Sequence, residues 1–308
     1  MIDFGSGRFA PSPTGDLHVG NLRTALASWL DCRSRGAPWL VRFEDLDQAV
    51  ATVEAGERQL QQLAALGMEP DVQPLWQSRQ PDRYTSPIDS LVASGRTYPC
   101  YCSRREIREA IAAAVNAPNG PESGLYPGTC AALGSSERAR RAQFRPPALR
   151  FRSDQPAVDF HDDNFGAQSF MVDDFVIRRN DGVPAYNLVV VVDDNAAAVG
   201  SVVRADDLLS STARQILVGE ALGYPVPRYA HVPLVVNADG VRLSKRDRSI
   251  TLDDLAADGV SAGEVLERLA VSMGVAAVGE RPSAADLVDR WGSVHVTGWR
   301  NTWPLVAT

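Results

Sequence analysis

The first 95 residues alternate between two periodicities. Gly7–Arg8–Phe9 reads as a short extended segment, followed by a turn built from Pro11, Ser12, Pro13, Thr14 and Gly15. From Asn21 to Arg35 the apolar side chains fall at 22, 25, 26, 29 and 30, a helical spacing that Gly36 stops. Trp39 to Phe43 is a compact apolar strand with Glu44, Asp45 and Asp47 at its end, and a second helical stretch covers residues 51–67. Strand, helix, strand, helix in this order predicts an α/β fold with a parallel sheet and right-handed crossovers.

The pattern then breaks. Between Gly95 and Asp159 the chain is rich in Cys and Arg and carries Pro121, Pro127, Pro146 and Pro147, which reads as an insertion rather than another layer of the sheet. Strands are expected again at Phe170–Arg178, Leu188–Val192, Ser201–Val203 and Val232–Val236, with a helix from Asp206 to Leu222 ended by Gly223. After Asp253 the composition turns to Ala, Leu and Glu with helical spacing. The expected units are therefore residues 1–95 and 166–250 as two halves of one α/β domain, 96–165 as the insertion, and 251–308 as a small helical region.

Composition narrows the class. Of 308 residues, 44% are hydrophobic and 22% charged, which excludes a largely disordered chain. The longest apolar run, Ala110 to Val115, is far shorter than the roughly 18 residues of a membrane span, and the start of the chain does not read as a signal peptide. A cytoplasmic monomer with no membrane contact is expected. The net charge of −7 gives no global attraction to nucleic acid, so any RNA contact must be local. Arg104, Arg105, Arg108, Arg138, Arg140, Arg141, Arg145, Arg150 and Arg152 supply such a local concentration, and an Arg-rich solvated face is the alternative. All but one of the 31 basic residues are Arg; the exception is Lys245. Lys has a compact, mobile ammonium that the planar fork of Arg does not reproduce, so a lone survivor points to a chemical task.

Two motifs suit phosphate chemistry. Leu17–His18–Val19–Gly20–Asn21 lies where the first strand meets the first helix, and a helix N-terminus presents free N–H groups and a positive dipole end. There His18 can donate to a phosphate and Gly20 lets a planar base approach the backbone, while a capping histidine is the simpler reading. Arg242–Leu243–Ser244–Lys245–Arg246 forms a polar basic loop suited to clamping a polyphosphate as charge builds on the leaving group.

Together these residues resemble a known family. Arg8–Phe9–Ala10–Pro11–Ser12–Pro13–Thr14–Gly15, followed by Leu17–His18–Val19–Gly20, is similar to the opening of the glutamyl-tRNA synthetase group of class I aminoacyl-tRNA synthetases. Arg242–Arg246 sits where that class has its Lys-Met-Ser-Lys-Ser signature. Asn21 departs from the second His of the first signature, and Arg242 and Arg246 from the outer residues of the second. The resemblance spans about residues 5–250 and implies a Rossmann-like catalytic domain that joins an amino acid to ATP, with Mg2+. It implies His18 and Lys245 as catalytic residues, and His18, Gly20, Asn21 and Arg242–Arg246 around ATP. Bound glutamate presents two carboxylates and one ammonium, so its site needs two cations and one anion; Arg8, Arg204 and Glu44 supply that count. The resemblance places Arg8, Phe9, Ala10, Pro11, Ser12, Glu44, Tyr186 and Arg204 about the amino acid. An ordinary ion pair of Arg204 with Asp206 or Asp207 is the alternative.

Cys100, Cys102 and Cys130 could supply three thiolates of a closed, structural zinc site, with an unrelated cysteine trio as the alternative. Together with Tyr126 these positions match the zinc site of one short branch of the group, the glutamyl-queuosine tRNA(Asp) synthetases. Val202–Leu209, with Thr212 and Arg214–Gln215, also resembles that branch, and only residues 251–308 follow the α/β region, where a full-length enzyme carries an anticodon reader. This resemblance implies glutamate, ATP and tRNA(Asp) bearing queuosine as partners. A truncated glutamyl-tRNA synthetase, an activator that loads glutamate onto a small molecule or carrier, and an inactive RNA-binding module remain as alternatives.

Overall fold

The computed structural model describes residues 5–115, 125–237, 240, 250–292 and 296–303. Ten strands and ten α-helices are found among them: β1 (Ser6–Phe9), α1 (Val19–Ser34), β2 (Trp39–Phe43), α2 (Val53–Ala65), β3 (Leu75–Trp76), α3 (Thr85–Ala93), β4 (Thr97–Cys100), α4 (Arg104–Val115), α5 (Ser135–Ala142), β5 (Ala148–Phe151), β6 (Ala157–Asp162), β7 (Gly166–Met171), β8 (Phe175–Arg178), α6 (Tyr186–Ala196), β9 (Val199–Ala205), α7 (Leu209–Leu222), β10 (Arg228–Val232), α8 (Leu252–Ala257), α9 (Ala262–Ser272) and α10 (Val288–Trp291).

One sheet runs β3-β2-β1-β9-β10-β6-β7, and all its neighbours are parallel except the β6–β7 hairpin. Its chain order reverses between β1 and β9. Connections there diverge to opposite sides, which opens a crevice at the carboxyl ends of the strands where α/β proteins bind ligands. Arg8–Phe9 and Arg204–Ala205 are the last residues of those two strands. A second sheet, β4-β5-β8, is antiparallel.

The helices follow their local chemistry. His18 caps α1, which begins two residues before the expected start, and Thr52 caps α2. Gly223 ends α7 as expected, at a φ of 69° that costs a residue without a Cβ nothing. In the tail, Thr251 and Ser261 each close a capping box at the start of α8 and α9. The buried Arg23 of α1 clamps the tail to the domain: Nη1 donates to the Arg300 carbonyl at 2.8 Å, Nη2 to that of Pro233 at 2.6 Å, and Trp299 lies against its guanidinium.

Three strand expectations change. Leu188–Val192 lies inside α6, whose Leu188, Val189, Val190 and Val192 are all buried. A helix covered on most faces shows a continuous apolar run that periodicity does not separate from a buried strand. Phe170–Arg178 is divided: its start finishes β7 in the large sheet, while its end is β8 in the small one. The segment expected at Val232–Val236 ends as a strand at Val232, because Pro233 offers no N–H to continue the ladder. The β6–β7 hairpin also extends the edge of the large sheet, through pairing of Tyr229 with Asp162.

Candidate active site

The turn after β1 has no regular partner of its own, and side chains of α2 hold it. Gln59 donates to the carbonyls of Ser12 at 3.1 Å and Gly15 at 2.7 Å, and the Gln62 side chain accepts from the Leu17 amide at 2.8 Å. The Glu44 amide donates to the Pro11 carbonyl at 3.0 Å, which brings the end of β2 against the same turn. The result is one open cavity of about 440 Å3 over the reversal point of the sheet. Arg8, Phe9, Ala10, Pro11, Ser12, Glu44, Tyr186 and Arg204, all expected about the amino acid, line it together. Asn21, Thr24, Val203, Ala205, Asp207 and Leu208 complete the wall.

The two arginines are held differently. Arg204 is buried, and its guanidinium is surrounded by neutral acceptors: His231 Nε2 at 3.0 Å from Nε, Gln215 Oε1 at 2.7 Å from Nη1 and Thr212 Oγ1 at 2.8 Å from Nη2. Among the described residues it pairs with neither Asp206 nor Asp207, nor with any other carboxylate. A buried cation without a counter-ion attracts a ligand carboxylate strongly. Arg8 donates from Nε to Asp194 at 3.2 Å, in a charged layer beneath the cavity. There Arg42 meets Asp194 and lies 3.6 Å from Glu44, while Asp193 takes Arg83 at 2.9 Å and the Tyr84 hydroxyl at 3.1 Å. Burial works against the Asp194 carboxylate, but Arg42 and Arg8 outweigh it and hold its pKa below the ordinary range. For Glu44 burial wins over Arg42 and Arg8 and pushes its pKa up.

Arg42, Asp193 and Asp194 were not expected in the site. Their signal in the sequence is a charge inside the apolar strand Trp39–Phe43 and an acidic pair closing the run Leu188–Val192.

At the start of α1, the His18 ring folds back over the helix. Its Nδ1 accepts from the amides of Gly20 at 3.1 Å and Asn21 at 3.2 Å, so the capping arrangement is present. An acceptor at Nδ1 places the proton of the neutral ring on Nε2, the nitrogen that can donate. A Cβ on Gly20 would come within 2.9 Å of the ring, so the glycine makes room for His18. The Val19 amide donates to the Ile250 carbonyl at 3.0 Å, returning the chain to His18 four residues after Arg246. Arg242, Leu243, Ser244, Lys245 and Arg246 lie outside the described residues.

The cysteine trio converges in the small sheet. The Sγ atoms of Cys100, Cys102 and Cys130 lie within 4.8 Å of one another, and the Tyr126 hydroxyl stands 3.5 Å from Cys100 and 3.6 Å from Cys102. All three are free thiols. Three sulfurs and one phenolic oxygen facing a common centre form a four-donor set of the kind that closes around a tetrahedral metal ion. The Arg150 guanidinium lies 3.7 Å from the Tyr126 ring centre and is buried, so Arg150 supports this cluster and does not face RNA. Much of the remaining Arg-rich stretch is paired locally: Arg140 and Arg141 with Glu137 at 2.7 and 2.6 Å, and Arg105 with Glu109 at 3.7 Å.

Comparison with known proteins agrees with this geometry. Residues 6–299 match the catalytic domain of the class I tRNA synthetases (E and Q). The Glutamyl-Q tRNA(Asp) synthetase of Nocardia farcinica is 51% identical over 272 residues, 88% of this chain and 85% of that protein. The one from Leptothrix cholodnii is 42% identical over 311 residues, 98% of this chain and 99% of its own length. Among solved structures, a glutamate tRNA ligase from Elizabethkingia meningosepticum, crystallised with its amino acid, superposes with a TM-score of 0.80 at 25% identity and covers 96% of this chain and 67% of that one. With its fold, its reversal-point cavity and relatives of this similarity along nearly its whole length, the chain belongs to the Glutamyl-Q tRNA(Asp) synthetase family of class I synthetase-like ligases.

Proposed function

We propose that the protein activates L-glutamate with ATP and transfers it to the cyclopentene-diol of queuosine in tRNA(Asp). The observation that carries this reading is the buried Arg204, a cation without a carboxylate partner among the described residues, in one cavity with Arg8 and Glu44. Arg204, Arg8 and Glu44 supply the two cations and one anion that the charges of glutamate call for, and Asp207 adds a second carboxylate to the wall. Arg204 and Arg8 hold its carboxylates, Glu44 its ammonium, and Tyr186 adds a hydroxyl.

In the first step an oxygen of the α-carboxylate attacks the α-phosphorus of ATP, the bond to the bridging oxygen breaks, and pyrophosphate leaves. No side-chain nucleophile is required. Catalysis is positioning plus electrostatics: His18 donates from Nε2 to phosphate, the N-terminus of α1 adds its dipole, and Gly20, Asn21 and the Arg242–Arg246 loop with Lys245 take the polyphosphate. Mg2+ neutralises phosphate charge when bound. In the second step a hydroxyl of the diol attacks the activated carbonyl and AMP leaves. Cys100, Cys102, Tyr126 and Cys130 would hold zinc as a structural ion that takes no part in the reaction, tying the end of β4 to the segment before α5. We propose a cytoplasmic monomer, in keeping with a tRNA-modifying ligase family; no described helix is long and apolar enough to cross a membrane.

Glutamate-dependent ATP–pyrophosphate exchange with the purified protein tests the first step. Exchange in the absence of tRNA is expected. Exchange only in its presence would favour a conventional tRNA-charging enzyme, and none under either condition would sink the activation reading.

A further inference from the structure

Arg204 is oriented by a pair of residues from the far side of the sheet. His231 stands directly beside it on the neighbouring strand, since β9 and β10 pair Arg204 with His231 in register. Arg204 donates from Nε to His231 Nε2 at 3.0 Å, so that nitrogen must carry a lone pair and no proton. The other ring nitrogen, Nδ1, lies 2.6 Å from Asp162 Oδ2 at the end of β6. Asp162, His231 and Arg204 thus form a row across three adjacent strands, and the first two are completely buried.

The carboxylate settles which nitrogen holds the proton. Asp162 Oδ1 accepts from the amides of Asn164 at 3.1 Å and Phe165 at 3.0 Å, and both oxygens accept from the His231 amide. With its oxygens placed in this way, Oδ2 can only accept from Nδ1. The ring is therefore neutral, protonated at Nδ1, and presents an acceptor to Arg204. Thr212 of α7 also sets its hydroxyl 3.4 Å from Nε2, and the Tyr229 ring of the same strand lies nearly parallel to the imidazole at a centroid separation of 6.2 Å.

We propose that Asp162 and His231 are positioning residues for amino-acid binding: Asp162 fixes the His231 tautomer, and His231 fixes the direction in which the Arg204 fork faces the cavity. This rests on the reading of Arg204 as a carboxylate ligand. Neither residue touches the substrate. A rotation of the guanidinium about its own axis would leave its charge in place and break the bonds to His231, Gln215, Thr212 and the Leu208 carbonyl that fix where its remaining N–H points.

Asp162→Asn tests the pair sharply. The new side chain keeps a carbonyl oxygen for Asn164 and Phe165, which leaves its NH2 facing Nδ1. That forces the ring proton onto Nε2, where it opposes the N–H of Arg204. His231→Gln offers an amide oxygen near the Nε2 position and has no tautomer to set. In pyrophosphate exchange, Asp162→Asn is expected to raise the KM for glutamate about tenfold or more, with the KM for ATP unchanged. His231→Gln should stay within about threefold of the wild type, and adding Asp162→Asn to it should cause no further rise. An equal effect of Asp162→Asn in both backgrounds would overturn the proposal, as would parallel losses in the KM values for ATP and glutamate. Absence of wild-type exchange would instead overturn the reading on which the proposal rests.

Discussion

At Glu44 desolvation and the neighbouring Arg42 pull in opposite directions, and desolvation wins. In the proposed role Glu44 must be ionised to hold the ammonium of glutamate, yet burial raises its pKa above the ordinary value of 4.5. As pH falls through that raised pKa the anion is lost, so the KM for glutamate should climb on the acid side of neutrality at a higher pH than an exposed carboxylate would dictate. Pyrophosphate exchange followed against pH measures this, and a Glu44→Gln protein should bind weakly with that limb absent. Removing Arg204 by Arg204→Ala should cost about 2–5 kcal/mol of glutamate binding, a rise in KM of roughly thirtyfold or more. Arg42→Leu acts on stability instead. It leaves Asp194 and Asp193 buried short of a cation, a loss of about 3–5 kcal/mol that thermal or denaturant unfolding would register.

At the scale of elements, the start of α1 and the small sheet carry separate tasks. Gly20→Ala would place a methyl group within 2.9 Å of the His18 ring and displace it from the helix cap. The expected outcome is a large fall in exchange rate with little change in the KM for glutamate, whose proposed charged ligands lie on β1, β9 and after β2. None of the four residues of the cysteine cluster lines that cavity. Cys100→Ser should therefore lose zinc by elemental analysis and loosen the β4-β5-β8 sheet while glutamate-dependent exchange persists. Unchanged metal content in that variant would remove the zinc assignment.

Across the whole molecule, charge is divided unevenly. The chain carries −7 overall, while residues 96–152 contain ten Arg and four Glu, so the small sheet and its helices form a basic body on an acidic protein. Phosphate contacts made there would respond to salt. Glutamate transfer to tRNA should weaken as salt rises, and exchange without tRNA should change far less. A tRNA(Asp) trimmed of its 3′-terminal adenosine should still accept glutamate, because the proposed acceptor is the wobble base; failure of the trimmed tRNA alone would favour charging of a 3′ end.

Much of this was legible in the order of residues. The opening strand–turn–helix depends on short-range signals, helical spacing and Pro–Gly turns, and such signals act over a few residues wherever the chain lies. His18 sits where the first strand meets the first helix, which is why local pattern is enough to single it out, whereas Arg8 and Glu44 are picked out by the charges of glutamate and by the family resemblance. What surrounds them depends on contacts that the sequence does not display. Arg8 meets Asp194 across 186 positions, and Asp162 meets His231 across 69. Only folding brings such residues together, because closing long loops is entropically costly until many contacts form at once. The same holds for the Leu188–Val192 run: its own pattern suits a strand, and burial against neighbours on most faces made it a helix. Local chemistry determined the first elements and placed charges at their ends; tertiary packing decided their partners, setting Arg8 against Asp194 and leaving Arg204, among the described residues, with neutral acceptors alone.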